Sequence, residues 1–286
     1  MSKIELSSPL RDAVGAAQKL PPFPEVVWKV MPLVERMAPV AEIEAVIRFD
    51  PVITAKVLVL SRSPSFSRGQ KITSLRDAIV LLGQQRLVQV VTAACSSTYF
   101  MGEAPGYDLR EGELWEHSIA TALMTEIVAE HLGWPEKTTA FTAAILHDIG
   151  KTILHHFVGA YFESIMALVG EKKKGFLDAE REVLGIDHQQ LGERIALRWR
   201  LPSPVVTAIG FHHQPRQALV HQQLVSLVYL CDRMASAMGI GCGVDGLMQP
   251  NEDDVCIEMG ITPRMIERFC ADLVDRLGET RRFLSS

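Results

Sequence analysis

The side chains of this chain that could do chemistry are histidines and aspartates between residues 117 and 232. Four of them form two adjacent pairs, and the others lie on separate stretches of sequence. The candidate ligands are His117, His147, Asp148, His188, His212, His213 and Asp232. Imidazole nitrogens and carboxylate oxygens together suit Fe, Mn, Zn or Mg better than a soft metal. This set of residue types therefore predicts a site for a divalent metal.

The pair His147-Asp148 comes at the end of an apolar helix, directly before Ile149 and Gly150. Neighbouring residues on a helix point about 100° apart. A metal that both side chains bind must therefore lie between the two directions. The end of a helix followed by glycine makes this feasible, because the chain can turn there.

Asp232 is the most informative acid, because it ends the apolar stretch 227–232. A buried carboxylate costs several kcal/mol unless a cation or hydrogen-bond donors compensate it. That cation could be a metal or an arginine from another helix. A single histidine at a helix end is, likewise, more often a capping or packing residue than a ligand. We assign to this structural class His131, His155, His156 and His221.

The elements that carry these side chains are expected to be helices. Apolar residues recur at i, i+3 and i+4 throughout, and the alternation typical of strands is scarce. We expect an all-α fold with an N-terminal helical bundle, a second helical domain and a C-terminal helical extension. In the second half, helices are predicted near 113–132, 135–147, 152–168, 177–183, 188–199, 202–212 and 222–238.

In the first half, a helix is predicted to start in the proline-rich stretch 21–24, and Pro32 is predicted to kink or break it. A helix over 75–82 should close on Gly83. The stretch 61–70, rich in Ser, Pro and Gly, is predicted to be a loop. Residues 101–110 resemble a linker, which sets the predicted domains at 1–100, 111–238 and 239–286.

Composition narrows the class of protein. The net charge of −5 and the pI near 6.0 give no support to non-specific nucleic-acid binding. The N-terminus has no signal-peptide pattern, and nowhere do eighteen apolar residues run together, so no membrane span is expected. The 5 cysteines are scattered without a Cys-x-x-Cys pair, which is typical of a reduced cytosol. We therefore expect a cytoplasmic protein.

The ordered set of histidines and aspartates resembles the HD superfamily of metal-dependent phosphohydrolases. The finer match is to the HDOD, the HD-related output domain of bacterial signalling proteins, and it covers roughly residues 18 to 235. The stretches that carry the resemblance are Leu20–Val26, Asp50–Leu58, Ile72–Gly83, Ile145–Lys151, Glu180–His188 and Trp199–His213. The resemblance implies an HD-type helical domain over residues 111–238.

Two departures from the family pattern limit what the resemblance implies. Arg62-Ser63 stands where the family usually has Asn-Ser. Relatives that hydrolyse cyclic di-GMP have a Gly-Tyr-Pro loop shortly after the paired histidines, whereas this chain has Gln214–Leu219. Hydrolysis of cyclic di-GMP is therefore not implied.

Two hypotheses follow from the resemblance. In the first, the chain is a signalling module that acts on a protein partner or senses a small phosphorylated ligand. In the second, it is a metal-dependent phosphohydrolase acting on a nucleotide or cyclic nucleotide. Nucleic acid is not an expected partner in either hypothesis.

The enzyme hypothesis assigns roles to individual side chains. His117, His147, Asp148 and Asp232 would bind one metal, and His188, His212 and His213 a second metal or the phosphate. Lys151 would neutralise charge on the phosphoryl oxygens. Glu113, which lies four residues before His117, would bind a second metal or orient that histidine.

Overall fold

The structure is a computed structural model that describes residues 8–61, 72–246 and 254–284. Over these ranges the regular structure is helical without strands, apart from one isolated bridge between Ala104 and Leu109. The predicted all-α fold class is thus confirmed. Most of the predicted loop 61–70, Arg62-Ser63 and the acidic residues Glu252 and Asp253 lie outside the described residues.

The helices of the N-terminal part are α1 (Ser8–Ala17), α2 (Glu25–Glu35), α3 (Val40–Ile47), α4 (Pro51–Ser61) and α5 (Leu75–Phe100). Those that follow are α6 (Glu113–His131), α7 (Lys137–Leu146), α8 (Lys151–Ala160), α9 (Phe162–Lys172), α10 (Phe176–Leu184), α11 (His188–Arg198), α12 (Ser203–Phe211), α13 (Gln222–Ala237), α14 (Gly243–Gly246), α15 (Asp254–Glu258) and α16 (Pro263–Leu284). By their internal contacts these helices form two compact units, Met1–Pro22 with Tyr99–Leu273, and Phe23–Thr98 with Val274–Ser286.

The smaller unit has its core between α2, α3, α4 and α5. Val30 and Ile43 are fully buried there, and the Lys56 ammonium donates to the carbonyl of Ala94 at 2.8 Å. Of the kink or break predicted at Pro32, the break does not occur, because α2 runs through this residue. Because proline has no backbone N–H, the helix lacks one hydrogen bond at Pro32. The ring of this proline is exposed and lies in the second half of the helix.

Helix α5 bends at the glycine where the sequence predicts the end of a helix. Gly83 has φ 73° and ψ 162°, a conformation that glycine adopts without strain. By length and mean hydropathy, 1.4 over 18 residues, α5 could span a membrane, but 56% of that stretch is buried inside the protein. Buried core helices pass the same test, so α5 is weak evidence for a membrane span.

The larger unit is centred on α6, which packs against α7 and α13. Its inner face is almost continuously apolar or small, and Ala120, Met124 and Val128 are fully buried. Helices α11 and α12 pack against each other, and α12 also packs against α7. The C-terminal end of α7, the N-terminal part of α6 and the start of α11 meet in one interior region.

The prediction of one helix over 152–168 is wrong. The chain forms α8 and α9, and the axis turns by 89° between 137–160 and 162–170. The turn is at Tyr161, whose φ of −116° and ψ of 19° are not helical. Two residues before this turn, a side chain added at Gly159 would lie 3.6 Å from the Cα atom of Gly106. Apolar periodicity in the sequence does not predict so close an approach.

Residues 101–110 are not a linker. They contain a 3₁₀ turn at Pro105–Tyr107, and Tyr107 is fully buried. A side chain at Gly106 would lie 2.0 Å from the carbonyl oxygen of His155, so the turn packs directly on α8. Pro and Gly here form a tight buried turn, although the same residues are typical of exposed connections.

Candidate metal centre

The seven candidate ligands converge in the core of the larger unit. His117 lies on α6, Asp232 lies on α13, and the adjacent pairs follow the last turns of α7 and α12, while His188 begins α11. None of the seven is more than 6% exposed. His117 and Asp232 are 115 residues apart in the sequence, yet Nε2 of His117 lies 3.0 Å from Oδ1 of Asp232.

Asp148 faces two groups of histidines. Its Oδ2 lies 3.4 Å from Nε2 of His147 and 3.8 Å from Nε2 of His117. Its Oδ1 lies 3.5 Å from Nε2 of His212 and 3.8 Å from Nε2 of His188. One carboxylate is therefore shared between two groups of candidate ligands.

Asp232 and His213 link the two sides of the cluster. Asp232 Oδ1 lies 3.0 Å from Nε2 of His117, and its Oδ2 lies 3.6 Å from Nδ1 of His213. His213 Nε2 in turn lies 2.9 Å from Nε2 of His188. The atoms that lie within 4.8 Å of one another belong to His117, His147 and Asp148 in one group, and to Asp148, His188, His212 and His213 in the other.

Backbone carbonyls fix the tautomers of three of these histidines. Nδ1 of His147 lies 2.6 Å from the carbonyl oxygen of Ala144. Nδ1 of His212 lies 2.9 Å from the carbonyl oxygen of Ile209. Nδ1 of His117 lies 2.9 Å from the carbonyl oxygen of Ile240. Since a carbonyl oxygen only accepts, Nδ1 carries the proton in each case, and the Nε2 lone pair of the neutral ring points into the cluster.

The residues fit a divalent metal. Nε2 of His147 and His212, Oδ1 of Asp148, and Oδ2 of Asp232 are buried without a hydrogen-bond partner among the described residues. Buried polar atoms are rarely left in this state, and a cation would satisfy all of them at once. Ligands about 2.1 Å from a tetrahedral zinc lie about 3.4 Å apart, which matches the shorter distances around Asp148.

Burial and neighbouring charges shift the pKa values of the cluster in directions that differ between its residues. Burial opposes ionisation of Asp148, but Lys151 and His147 outweigh it and hold the pKa of this carboxyl well below its usual range. Burial lowers the pKa of His212 to about 4, so this ring is neutral near pH 7. For His147 burial acts downwards, but the Asp148 charge outweighs it and raises the pKa. Metal binding therefore competes with protonation of His147.

Lys151 is buried beside the cluster at the start of α8. Its ammonium lies 2.8 Å from Oδ2 of Asp148 and 2.7 Å from Oδ2 of Asp245. It also lies 5.4 Å from the centre of the Tyr107 ring, over its face. These neighbours outweigh the effect of burial and raise the pKa of Lys151, so it carries a full positive charge at the edge of the ligand set.

Glu113 does not join the cluster. It begins α6, and its carboxylate accepts a hydrogen bond of 2.7 Å from the backbone N–H of Arg110. The group that orients His117 is instead the carbonyl of Ile240. Of the histidines assigned to structure, none in the described residues belongs to either ligand group. His131, for example, contacts the ring of Phe269 edge to face, with ring centres 5.3 Å apart.

The sequence prediction missed residues that support the site from outside. Glu180 accepts from Nδ1 of His188 at 2.8 Å and from the hydroxyl of Tyr107 at 2.5 Å. Burial raises the pKa of Glu180 to about 7. Asp245 and Ile240 come from the glycine-rich stretch after α13. Glu180 lies on an amphipathic helix, where one carboxylate among others carries no signal, and only a buried position distinguishes it.

Comparisons with known proteins identify the family. A family profile described as the HDOD domain matches residues 20–215. A crystal structure of an HDOD domain protein of unknown function from Geobacter sulfurreducens is 25% identical, with a TM-score of 0.71, covering 96% of this chain and 93% of that one. An uncharacterized protein of Treponema pallidum is 22% identical over 221 residues, which are 73% of this chain.

A segment of 97 residues, 34% of this chain, is 32% identical to ribonuclease Y of Latilactobacillus sakei. The matched segments span 40% of the length of the Treponema protein and 13% of that of the ribonuclease. The profile, by contrast, covers more than half of this chain and includes six of the seven candidate ligands. The chain belongs to the HDOD family.

Proposed function

We propose that this chain is a bacterial regulatory protein of the cytoplasm whose buried histidine–aspartate cluster binds divalent metal. The observation that carries the proposal is Asp148, whose two oxygens each face a separate group of histidines. One metal, or two sharing this carboxylate, would satisfy the polar atoms that burial leaves without partners. The family resemblance supports a signalling role.

The burial of the ligands favours regulation over turnover. Each candidate ligand is at most 6% exposed, so a substrate would have to open the core to reach the cluster. A buried metal can instead stabilise one conformation of the larger unit. A protein partner would bind that conformation selectively, or a small phosphorylated ligand would change it.

The test is the metal content of the full chain purified without chelator. We expect at least one divalent ion per chain by elemental analysis, and a loss of metal in His147→Ala and Asp148→Ala. His221→Ala is the matched control, because this histidine is exposed and belongs to neither group. Wild-type protein without stoichiometric metal, after offering Fe, Mn, Zn and Mg, contradicts the proposal.

The alternative is a metal-dependent phosphohydrolase, and Lys151 is the observation that favours it. A buried ammonium next to a shared carboxylate is suited to neutralise a phosphoryl group. A bound divalent metal would supply Lewis-acid activation of water. Among the chain's own side chains, Lys151 would hold the phosphate.

Turnover separates the two functions. The metal-loaded protein is assayed on nucleoside monophosphates, cyclic nucleotides and a short RNA, the last because of the partial similarity to ribonuclease Y. Hydrolysis that is lost in Asp148→Ala but kept in His221→Ala supports the enzyme. Bound metal without hydrolysis of any of these esters supports the regulatory function.

A further inference from the structure

The stretch Gly239–Gly246, here called the glycine segment, lies against the cluster. Ile240 offers its carbonyl to His117 at 2.9 Å. Gly241 has a φ of 51°, and a side chain there would lie 2.2 Å from the carbonyl oxygen of Glu113. Gly243 has a φ of 54°, and a side chain there would lie 2.7 Å from the carbonyl oxygen of Tyr107. These glycines let the segment pack closely on α6 and on the 3₁₀ turn.

The segment brings a carboxylate into the core. Asp245 is 1% exposed, and its Oδ2 lies 2.7 Å from the ammonium of Lys151. Its other oxygen, Oδ1, has no hydrogen-bond partner among the described residues. Burying a carboxylate in this way is costly, and the ion pair with Lys151 is the compensating interaction. Lys151 is thus the reason for the position of Asp245.

The charges of the cluster change when metal binds. Asp148, Asp232 and Asp245 together with Lys151 carry two net negative charges, which one divalent cation neutralises. Glu180 stands apart, because its oxygens accept hydrogen bonds from the side chains of Tyr107 and His188. A second divalent cation in the other ligand group leaves two positive charges. A phosphate dianion would balance these, and it would compete with Asp245 for Lys151.

We propose that the Asp245 carboxylate occupies the position beside the Lys151 ammonium where a phosphate group would bind. The phosphate group would be either inorganic phosphate or a phosphate monoester. Such a ligand binds by displacing Asp245 and, with it, the glycine segment from the cluster. The segment is therefore an internal competitor that keeps the site closed until a phosphate of sufficient affinity arrives. This inference rests on the proposed metal binding.

The first experiment measures phosphate affinity of the full chain loaded with Mn²⁺, by calorimetric titration with inorganic phosphate and, separately, with AMP. Asp245→Asn removes the competing charge at constant shape, and we expect phosphate to bind about tenfold more tightly than to wild type. Asp254→Asn is the matched control, because this aspartate is exposed and pairs with Arg216. Tighter binding of AMP than of phosphate identifies a monoester as the ligand, and the reverse identifies the free ion.

Equal phosphate affinity in Asp245→Asn and wild type, with Mn²⁺ retained in both, overturns the displacement by phosphate and leaves metal binding intact. Absence of Mn²⁺ from the wild type contradicts the proposed function instead. The second experiment needs no variant. Hydrogen exchange of the amides in 240–246 is expected to rise when saturating phosphate is added to metal-loaded wild type. Unchanged exchange with phosphate bound overturns the inference.

Discussion

At the scale of single residues, the site depends on which nitrogen of each ring faces inward. The acceptors for His147 and His212 are carbonyls three residues earlier in their own helices, at Ala144 and Ile209. His188 has no such carbonyl, because it begins its helix, and it uses the carboxylate of Glu180 instead. Outer partners of this kind orient ligand rings and raise their basicity.

Replacing Glu180 by alanine should therefore weaken metal binding without removing a ligand. We expect a loss of affinity of about 10–100-fold for Glu180→Ala, by competition with a chelating indicator. Glu180→Gln keeps an acceptor for His188 and should lose less. Glu182→Ala, on the exposed side of the same helix, is the control. Equal affinity of Glu180→Ala and wild type would show that Glu180 does not position His188.

The lowered pKa of His155, a second residue outside the cluster, predicts that the free energy of unfolding depends on pH. Burial, and then the charge of neighbouring His156, lower the pKa of His155 to about 4. Below the unfolded value of about 6.5, the unfolded chain takes up a proton that the folded chain does not bind, so acid favours unfolding. The contribution of His155 to stability is therefore complete above about pH 6.5 and falls progressively down to about pH 4.

The variant His155→Gln should show a smaller fall of unfolding free energy than wild type between about pH 7 and about pH 5. Urea titrations at the two pH values measure it, with both proteins at the same metal concentration. His131→Gln is a control, because it changes a histidine at the exposed end of α6. An identical pH dependence of the His155 variant and wild type would contradict the assignment.

At the scale of elements, the site depends on how closely α8 and α11 approach. A side chain at Gly150 would lie 1.9 Å from the carbonyl oxygen of His188 and 2.9 Å from the backbone nitrogen of Gly192. The backbone that carries His147-Asp148 therefore touches the backbone that carries His188. Gly150 directly precedes α8 and Gly192 lies within α11, and this contact sets the spacing of the two ligand groups.

Gly150→Ala should consequently destabilise the fold by about 3 kcal/mol or more, because the added methyl group meets backbone rather than a flexible side chain. Gly170→Ala is the matched control. It lies within α9 with no atom near its Cβ position, and alanine there should stabilise by about 0.5–1 kcal/mol. Denaturant unfolding of both variants measures the difference. A Gly150 variant as stable as wild type would contradict the close approach.

Two corrections also belong to this scale. Apolar spacing predicts one helix over 152–168, but the chain turns at Tyr161. Pro and Gly predict a linker over 101–110, but Tyr107 and Gly106 are buried against α8. Both errors have one cause. Local periodicity and turn chemistry report whether a stretch can be helical, and they do not report which neighbouring backbone requires it to stop or turn.

At the scale of the whole molecule, metal binding is coupled to folding. A cluster assembled from five helices exists in the folded chain and is dispersed in the unfolded chain, so a bound metal stabilises the native state by mass action. At a free metal concentration of about 100 times Kd, the expected gain is about 2.7 kcal/mol. We expect Tm to rise with added Mn²⁺ or Zn²⁺ and to fall after treatment with chelator.

Asp148→Ala should abolish the dependence of Tm on metal, whereas His221→Ala should keep it, by thermal unfolding over a range of metal concentrations. Because Asp148 serves both ligand groups, its loss should remove the whole effect and not half of it. A Tm of the Asp148 variant that still rises with metal as in wild type would contradict the shared carboxylate.

The sequence by itself determined the all-α class and the family of this protein, because helix periodicity and motif spacing are local properties that need no tertiary contact. It also singled out residues that converge in the core, since paired histidines and an aspartate within an apolar stretch are costly unless they serve a site. Only the tertiary structure showed that Asp148 is shared, that Glu113 lies apart, and that Glu180, Ile240 and Asp245 reach the cluster. Those relations join distant segments, and they depend on packing geometry that spacing along the chain does not encode.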